Sequence, residues 1–231
     1  MGNDHVTRFA PSPTGPLHLG HAFSALTVWE RARIAGGTAL LRIEDIDRQR
    51  ATRDWEALIF EDLWWLGLSW PEPVLRQSDR LAAYGAALRA LAGRGVLYPC
   101  ACSRGDIRAA LSAPQEGAPL SGPDGPVYPG TCRGRSMAEA GPGDAIRLDM
   151  GRAVRLAGEV SFIENGPLRQ GLHVACDDFL IDEVGDVVLA RRGMGTSYHL
   201  SVVVDDAFQK VSEVVRGVDL LEATPIHRIL Q

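Results

Sequence analysis

From Val6 to Ala10 the chain reads VTRFA, a short strand pattern, and Pro11-Ser12-Pro13-Thr14-Gly15-Pro16 then breaks any regular structure. Beyond it, Leu19, Ala22, Phe23, Leu26 and Trp29 recur at spacings of three and four, which predicts an amphipathic helix with those residues on its inner face. Gly36-Gly37 ends that helix. Thr38 to Ile43 is mostly apolar, as expected of a parallel strand covered on both faces. Strand, helix and strand within ~40 residues predict a βαβ unit with a right-handed crossover. Trp55, Leu58, Ile59, Asp62, Leu63 and Leu66 share one face of a second helix, with Gly67 where a C-terminal cap belongs. A third helix is expected over roughly Arg80 to Ala92, stopped by Gly93 and Gly95.

The pattern changes from Cys100 to Gly143, where Gly, Pro and Ser are frequent and long apolar runs are few. Such a stretch reads as an insertion without a large core of its own. Later strands are expected at Ala145 to Met150, Phe179 to Ile181 and Val187 to Ala190, the last two flanking a hairpin-like turn at Asp182 to Asp186. Tyr198 to Phe208 reads as a helix, Val211 to Arg216 as a strand, and Leu220 onward as a further helix. No internal repeat or heptad is present in the pattern.

Composition narrows the function classes. The 231 residues are 45% hydrophobic and 23% charged, which suits a globular chain and excludes a disordered one. Its 25 Gly and 14 Pro show no three-residue period. The net charge of −5 means that a nucleic-acid partner must meet a local basic face. No apolar run approaches the ~18 residues of a membrane helix. Met1-Gly2-Asn3-Asp4-His5 does not open a signal peptide, so a cytoplasmic location is expected. Cys100, Cys102 and Cys132 cluster, and clustered cysteines without an export signal more often bind metal than form disulfides. Zinc wants four ligands. The three thiolates leave one place, which Tyr128 or water could fill, since no His lies between 100 and 132. Cys176 reads as a small buried residue.

The segment from Arg8 to His21, RFAPSPTGPLHLGH, carries the most chemistry. A strand ends, the chain turns, and a helix begins with His18 and His21 three residues apart. Free N–H groups and the dipole at that tip favour an anion, and two imidazoles there can bond phosphate oxygens. Gly20 lets a flat ring or a phosphate approach the backbone.

The string HLGH at 18–21 resembles the first signature of the class I aminoacyl-tRNA synthetases, and RFAPSPTGPLHLGHA resembles their glutamyl/glutaminyl branch. RIEDID at 42–47, YHLSVVVDD at 198–206 and VVRGVDLL at 214–221 are similar to the same branch, in the same order along the chain. The resemblance implies an α/β fold: a Rossmann-like catalytic domain with a small zinc-bearing insertion subdomain. Residues 1–97 would form its first half, 98–143 the insertion, and 144–231 the return and the second half. It implies ATP at the carboxyl ends of the strands, held by His18, Gly20 and His21, with His18 and His21 as catalytic residues. For L-glutamate it implies Arg8, Phe9, Ala10, Pro11, Ser12, Glu44, Tyr198 and Arg216, with Glu44 on the ammonium group. An Arg fork suits a carboxylate. Asp205 and Asp206 are expected to pair at a helix end and not to hold a metal. The glutamate α-carboxylate would attack the α-phosphorus of ATP, with Mg²⁺ on the leaving pyrophosphate.

The short, synthetase-like members of this branch carry Cys-x-Cys and later Tyr-x-x-x-Cys, which Cys100, Cys102, Tyr128 and Cys132 match. The resemblance thus implies Tyr128 as fourth ligand of a structural zinc. Those members lack the long anticodon-binding region and load glutamate onto queuosine in the anticodon stem-loop of tRNA(Asp). Two alternatives stand beside that expectation: a truncated glutamyl-tRNA synthetase charging the tRNA 3′ end, and an inactive RNA-binding module. The family's second, lysine-bearing signature has no match, Lys210 being the one lysine in the chain, and it is expected beyond residue 231. Arg31, Arg33, Arg133, Arg135, Arg191 and Arg192 could meet RNA phosphates but read more simply as solvated.

Overall fold

The structure, a computed structural model, describes residues 5–112 and 121–231. It divides into two compact units, Met1–Ala83 with Val204–Gly217, and Tyr84–Val203 with Val218–Gln231.

The first unit is built on a parallel sheet in the order β1 (Val6–Phe9), β2 (Thr38–Ile43) and β3 (Leu75–Arg76). β1 and β2 are joined by helix α1 (Leu19–Ala35), and β2 and β3 by helix α2 (Arg53–Trp65). Gly36 takes φ 64° and closes α1, a conformation in which a Cβ would be strained. Thr52 caps α2, its Oγ1 accepting from the Trp55 N–H at 3.3 Å. Phe9, Leu41 and Ile43 of the sheet pack with Ile59 and Leu63 of α2.

The inner face of α1 differs from the expected one. Ala25, Val28 and Ala32 are buried, whereas Leu19 and Phe23 are 86% and 74% exposed. Small side chains let the helix axis approach the sheet closely, and the bulky residues are turned outward. A second correction concerns 211–216, which forms no strand. Ser212 N–H and Glu213 N–H both donate to Val6 O, at 2.9 and 3.2 Å. Two donors on one carbonyl break the alternation that a ladder needs.

The second unit contains most of helix α3 (Leu81–Gly93), and then β4 (Leu97–Cys100), helix α4 (Arg104–Ser112), β5 (Ala145–Leu148), helix α5 (Met150–Ala157), the hairpin β6 (Val160–Glu164) and β7 (Gly171–Ala175), and β8 (Val188–Ala190). The strands β4, β5 and β8 form an antiparallel sheet in that order. Helix α6 (Tyr198–Phe208) starts in this unit and ends in the first, and α7 (Thr224–Leu230) closes the chain after a 3-10 turn at Val218–Ala223. Leu97, Leu148, Met150, Leu180, Leu189 and Ile226 form its core.

Three local expectations fail here. The strand from Ala145 stops at Leu148, because Asp149 Oδ1 accepts from Arg152 N–H at 2.9 Å and caps α5. Phe179–Val184 is a π-helical turn and not a strand and hairpin turn. Gly185, at φ 69°, ends it with its N–H on Leu180 O at 3.0 Å. Cys176 is exposed and not buried, lying just past the end of β7. Among the described residues no helix is long and apolar enough to cross a membrane.

The reassigned face of α1 is testable by urea denaturation. Leu63→Ala should destabilise the chain by about 2–5 kcal/mol, since Leu63 is fully buried. Phe23→Ala should change stability by less than about 0.5 kcal/mol. A large loss from Phe23→Ala would restore the face expected from the sequence.

Candidate active site

His18 is the N-cap of α1, with extended φ and ψ of −125° and 175°. Its Nδ1 accepts the Gly20 N–H at 3.1 Å, while His21 Nδ1 accepts the His18 N–H at 3.2 Å. This is a capping box made from two imidazoles. The rings stack with centroids 3.8 Å apart. A nitrogen that accepts cannot carry the proton, so the neutral rings hold it on Nε2. Two Nε2–H donors then stand at a positively polarised helix tip, where phosphate oxygens are favoured. Burial, and then the nearby His18, lower the His21 pKa from its ordinary 6.5, which keeps it neutral at pH 7. Gly20 serves this geometry directly. A Cβ there would lie 3.0 Å from His18 Cε1, so the ring would have to give by a few tenths of an ångström.

Arg8 and Glu44 stand on neighbouring strands of the parallel sheet, Arg8 in β1 and Glu44 immediately after β2. Glu44 N–H donates to Pro11 O at 3.0 Å, which ties the turn after β1 to the end of β2. Phe9 and Pro11 are buried, Ala10 is half-buried and Ser12 is exposed. Arg8 Nε donates to Asp206 Oδ1 at 2.9 Å and its Nη1 to Val215 O at 3.4 Å. Arg216 follows directly on Val215 and is half-buried. The structure thus brings Arg8, Glu44 and the chain before Arg216 to one region of the first unit. Tyr198 begins α6 in the second unit, its ring edge-on to His199 and His227 at centroid distances of 5.5 and 5.4 Å.

Burial raises the pKa of the Glu44 carboxyl above its ordinary value. The charges of Arg42 and then Arg8 oppose that rise. Asp206 behaves otherwise: burial would raise it, but Arg8 and Arg42 hold it below the usual carboxylate range. Asp205 and Asp206 pair as expected, Asp205 with Arg80 at 2.6 Å and Asp206 with both Arg8 and Arg42. Sequence reasoning overlooked Arg42, whose partners Glu44 and Asp206 lie 2 and 164 positions away.

In the second unit, the Sγ atoms of Cys100, Cys102 and Cys132 lie within 4.8 Å of one another. Tyr128 Oη is 3.4 Å from both Cys100 Sγ and Cys102 Sγ, and Cys102 and Cys132 Sγ are 3.6 Å apart. Cys132 N–H donates to Tyr128 Oη at 2.9 Å. Burial opposes ionisation of Cys132, but hydrogen bonds from Tyr128 and Ala101 bring its pKa down to about 7. Burial raises the Tyr128 phenol, and its bonds to the three cysteines add to that rise.

The arginines considered for RNA are largely committed elsewhere. Arg31 pairs with Glu213, Arg33 with Glu30, Arg133 with Asp186 and Arg135 with Asp144. Arg192 donates to the carbonyls of Ala101 and Cys102.

Residues 5–231 match the family model described as tRNA synthetases class I (E and Q), catalytic domain. The chain is 60% identical to the glutamyl-Q tRNA(Asp) synthetase of Rhodobacter capsulatus, over 98% of this chain and 81% of that protein. It is 40% identical to the protein of the same name from Geobacter sulfurreducens, over 98% of this chain and 67% of that one. Among solved structures it resembles a glutamate tRNA ligase from Elizabethkingia meningosepticum in complex with its amino acid. The TM-score is 0.74 at 27% identity, covering 98% of this chain and 46% of the ligase. The chain therefore spans just under half the length of that solved relative.

The histidine cap predicts a tautomer. Nitrogen-15 NMR of the imidazoles should show His18 and His21 protonated at Nε2 and bare at Nδ1 at pH 7, with His21 titrating below its ordinary value. Resonances of an Nδ1–H form would contradict the capping geometry.

Proposed function

The chain belongs to the class I tRNA synthetase catalytic-domain family for glutamate and glutamine, and from that premise we propose that it activates L-glutamate with ATP and passes it to queuosine of tRNA(Asp). The observation that supports this reading best is that Arg8 in β1 and Glu44, directly after the neighbouring parallel strand β2, lie near enough for the Arg8 charge to act on the Glu44 carboxyl, in the same unit as the histidine-capped α1. Glutamate offers one ammonium group and two carboxylates. Glu44 receives the ammonium group. Arg8 and Arg216 face the carboxylates, and the backbone of Phe9, Ala10, Pro11 and Ser12 borders the amino acid.

ATP enters as its Mg²⁺ complex. His18 and His21 donate from Nε2 to its phosphate oxygens, and Gly20 leaves the tip of α1 open. The glutamate α-carboxylate oxygen attacks the α-phosphorus in line. A new P–O bond forms, the bond to the β-phosphate bridging oxygen breaks, and pyrophosphate leaves with the electron pair. The resulting mixed anhydride then transfers its glutamyl group to a hydroxyl of the modified base, releasing AMP. The protein supplies position and charge and forms no covalent bond. The names of the relatives favour tRNA(Asp) over tRNA(Glu) as acceptor.

Zinc fits the cysteine cluster. A tetrahedral ion with Zn–S bonds of about 2.3 Å places its sulfur ligands about 3.8 Å apart. The Cys102–Cys132 separation of 3.6 Å is close to that edge before any adjustment. Cys100, Cys102, Cys132 and Tyr128 would hold the ion, which would staple a segment poor in apolar side chains and take no part in the reaction.

The full-length protein, given ATP and labelled glutamate, should label queuosine-containing tRNA(Asp). Label on the terminal adenosine of tRNA(Glu) instead would overturn the acceptor assignment. Metal analysis should find one zinc per chain, and Cys132→Ala should lower that content severalfold. Wild-type protein without zinc would contradict the cluster's role.

A further inference from the structure

Arg42 is fully buried, and its guanidinium meets three partners. Nη2 donates to Glu44 Oε1 at 3.3 Å, and Nη1 donates to Asp206 Oδ1 at 2.7 Å and to Gln209 Oε1 at 3.0 Å. Asp206 Oδ1 also accepts from Arg8 Nε at 2.9 Å. One side chain therefore joins the two residues assigned to opposite ends of glutamate. It touches Glu44 directly and Arg8 through a shared carboxylate oxygen.

We propose that Arg42 is the positioning residue of the amino-acid site: its fork supplies the counter-charge that favours the Glu44 anion and aligns Asp206 on Arg8. The inference rests on the reading of Glu44 as the ammonium acceptor. A buried carboxylate facing an ammonium ligand needs a standing cation while the site is empty, or it takes up a proton. Arg42 is that cation, because it never loses its charge. The charged groups around Glu44 are Arg42 on β2, Arg8 on β1 and Asp206 on α6, with Asp205 acting on Arg42 from the same helix. The two arginines favour the anion and Asp206 opposes it. A lysine would replace Arg42 only in part: it keeps the charge, but an ammonium group lacks the planar fork that spans Glu44 and Asp206 together.

The test is glutamate affinity against pH, measured by isothermal titration calorimetry from about pH 5 to about pH 8.5 on the whole protein. In the wild type, affinity should be highest where Glu44 is ionised and should fall on the acid side as it takes up a proton. Arg42→Gln should move that midpoint upward, weakening binding about tenfold for each unit it moves above the working pH. Arg42→Lys should recover part of the loss. Asp206→Asn removes a like charge beside Glu44, so the midpoint should move downward, opposite in sign to Arg42→Gln. ATP affinity should be unchanged in all of them.

A folded Arg42→Gln variant with wild-type affinity and pH profile would overturn the proposal. If Arg42→Gln fails to fold, Asp206→Asn decides: a midpoint that moves up or stays fixed overturns it. Glu44→Gln separates the two levels. It should bind glutamate weakly at every pH, and wild-type binding by that variant would refute the reading of Glu44 itself.

Discussion

One carboxylate, that of Asp206, sits between two buried guanidinium groups, and the site proposed for the amino acid depends on it. Arg8 comes from β1 and Arg42 from β2, and both bond the same Oδ1, at 2.9 and 2.7 Å. Two cations this close repel unless an anion lies between them. Burying such a trio contributes little net stability, since desolvation offsets most of the attraction. Its contribution is to geometry. The arginine fork of β1 is held in one orientation, and the last turn of α6 is fixed against the sheet that carries it. Breaking the trio at any member leaves an uncompensated buried charge.

The helix tip proposed for the nucleotide, in the same unit, is organised differently. A helix start needs its orphan N–H groups satisfied, and a phosphate site needs donors at the same place. His18 and His21 do the first, and each leaves a second ring nitrogen for the proposed phosphate, because an imidazole has two nitrogens. Each Nδ1 accepts a backbone N–H, at 3.1 and 3.2 Å. The second nitrogen of each ring is thereby committed as a donor. Gly20 belongs to this arrangement because a Cβ there would crowd the His18 ring.

Much of this was legible in the chain. The βα start, α2 and α6 followed from local periodicity and from glycine stops, which depend on near neighbours only. The HLGH and RIEDID strings placed the histidine pair and Glu44 because their spacing is local. The face of α1 was not legible. Apolar residues occur on both sides of that helix, and proximity to the sheet selected Ala25, Val28 and Ala32 over Leu19 and Phe23. The hairpin of β6 and β7 had only a weak turn signal in Asn165-Gly166, since the loop between Glu164 and Gly171 is longer than the two-residue turn that this dipeptide marks. Arg42 was hidden for a different reason. As a residue of RIEDID it looked like part of a string, and only the fold brings it to Asp206, 164 positions away.

The most direct test of the account is a crystal structure of the protein with bound L-glutamate. The ammonium nitrogen should lie within about 3.2 Å of a Glu44 carboxylate oxygen, with a glutamate carboxylate on Arg8 or Arg216 and the Arg8–Asp206–Arg42 trio intact. Glutamate bound away from Glu44, with Arg8 and Arg216 turned out of a common cavity, would contradict it.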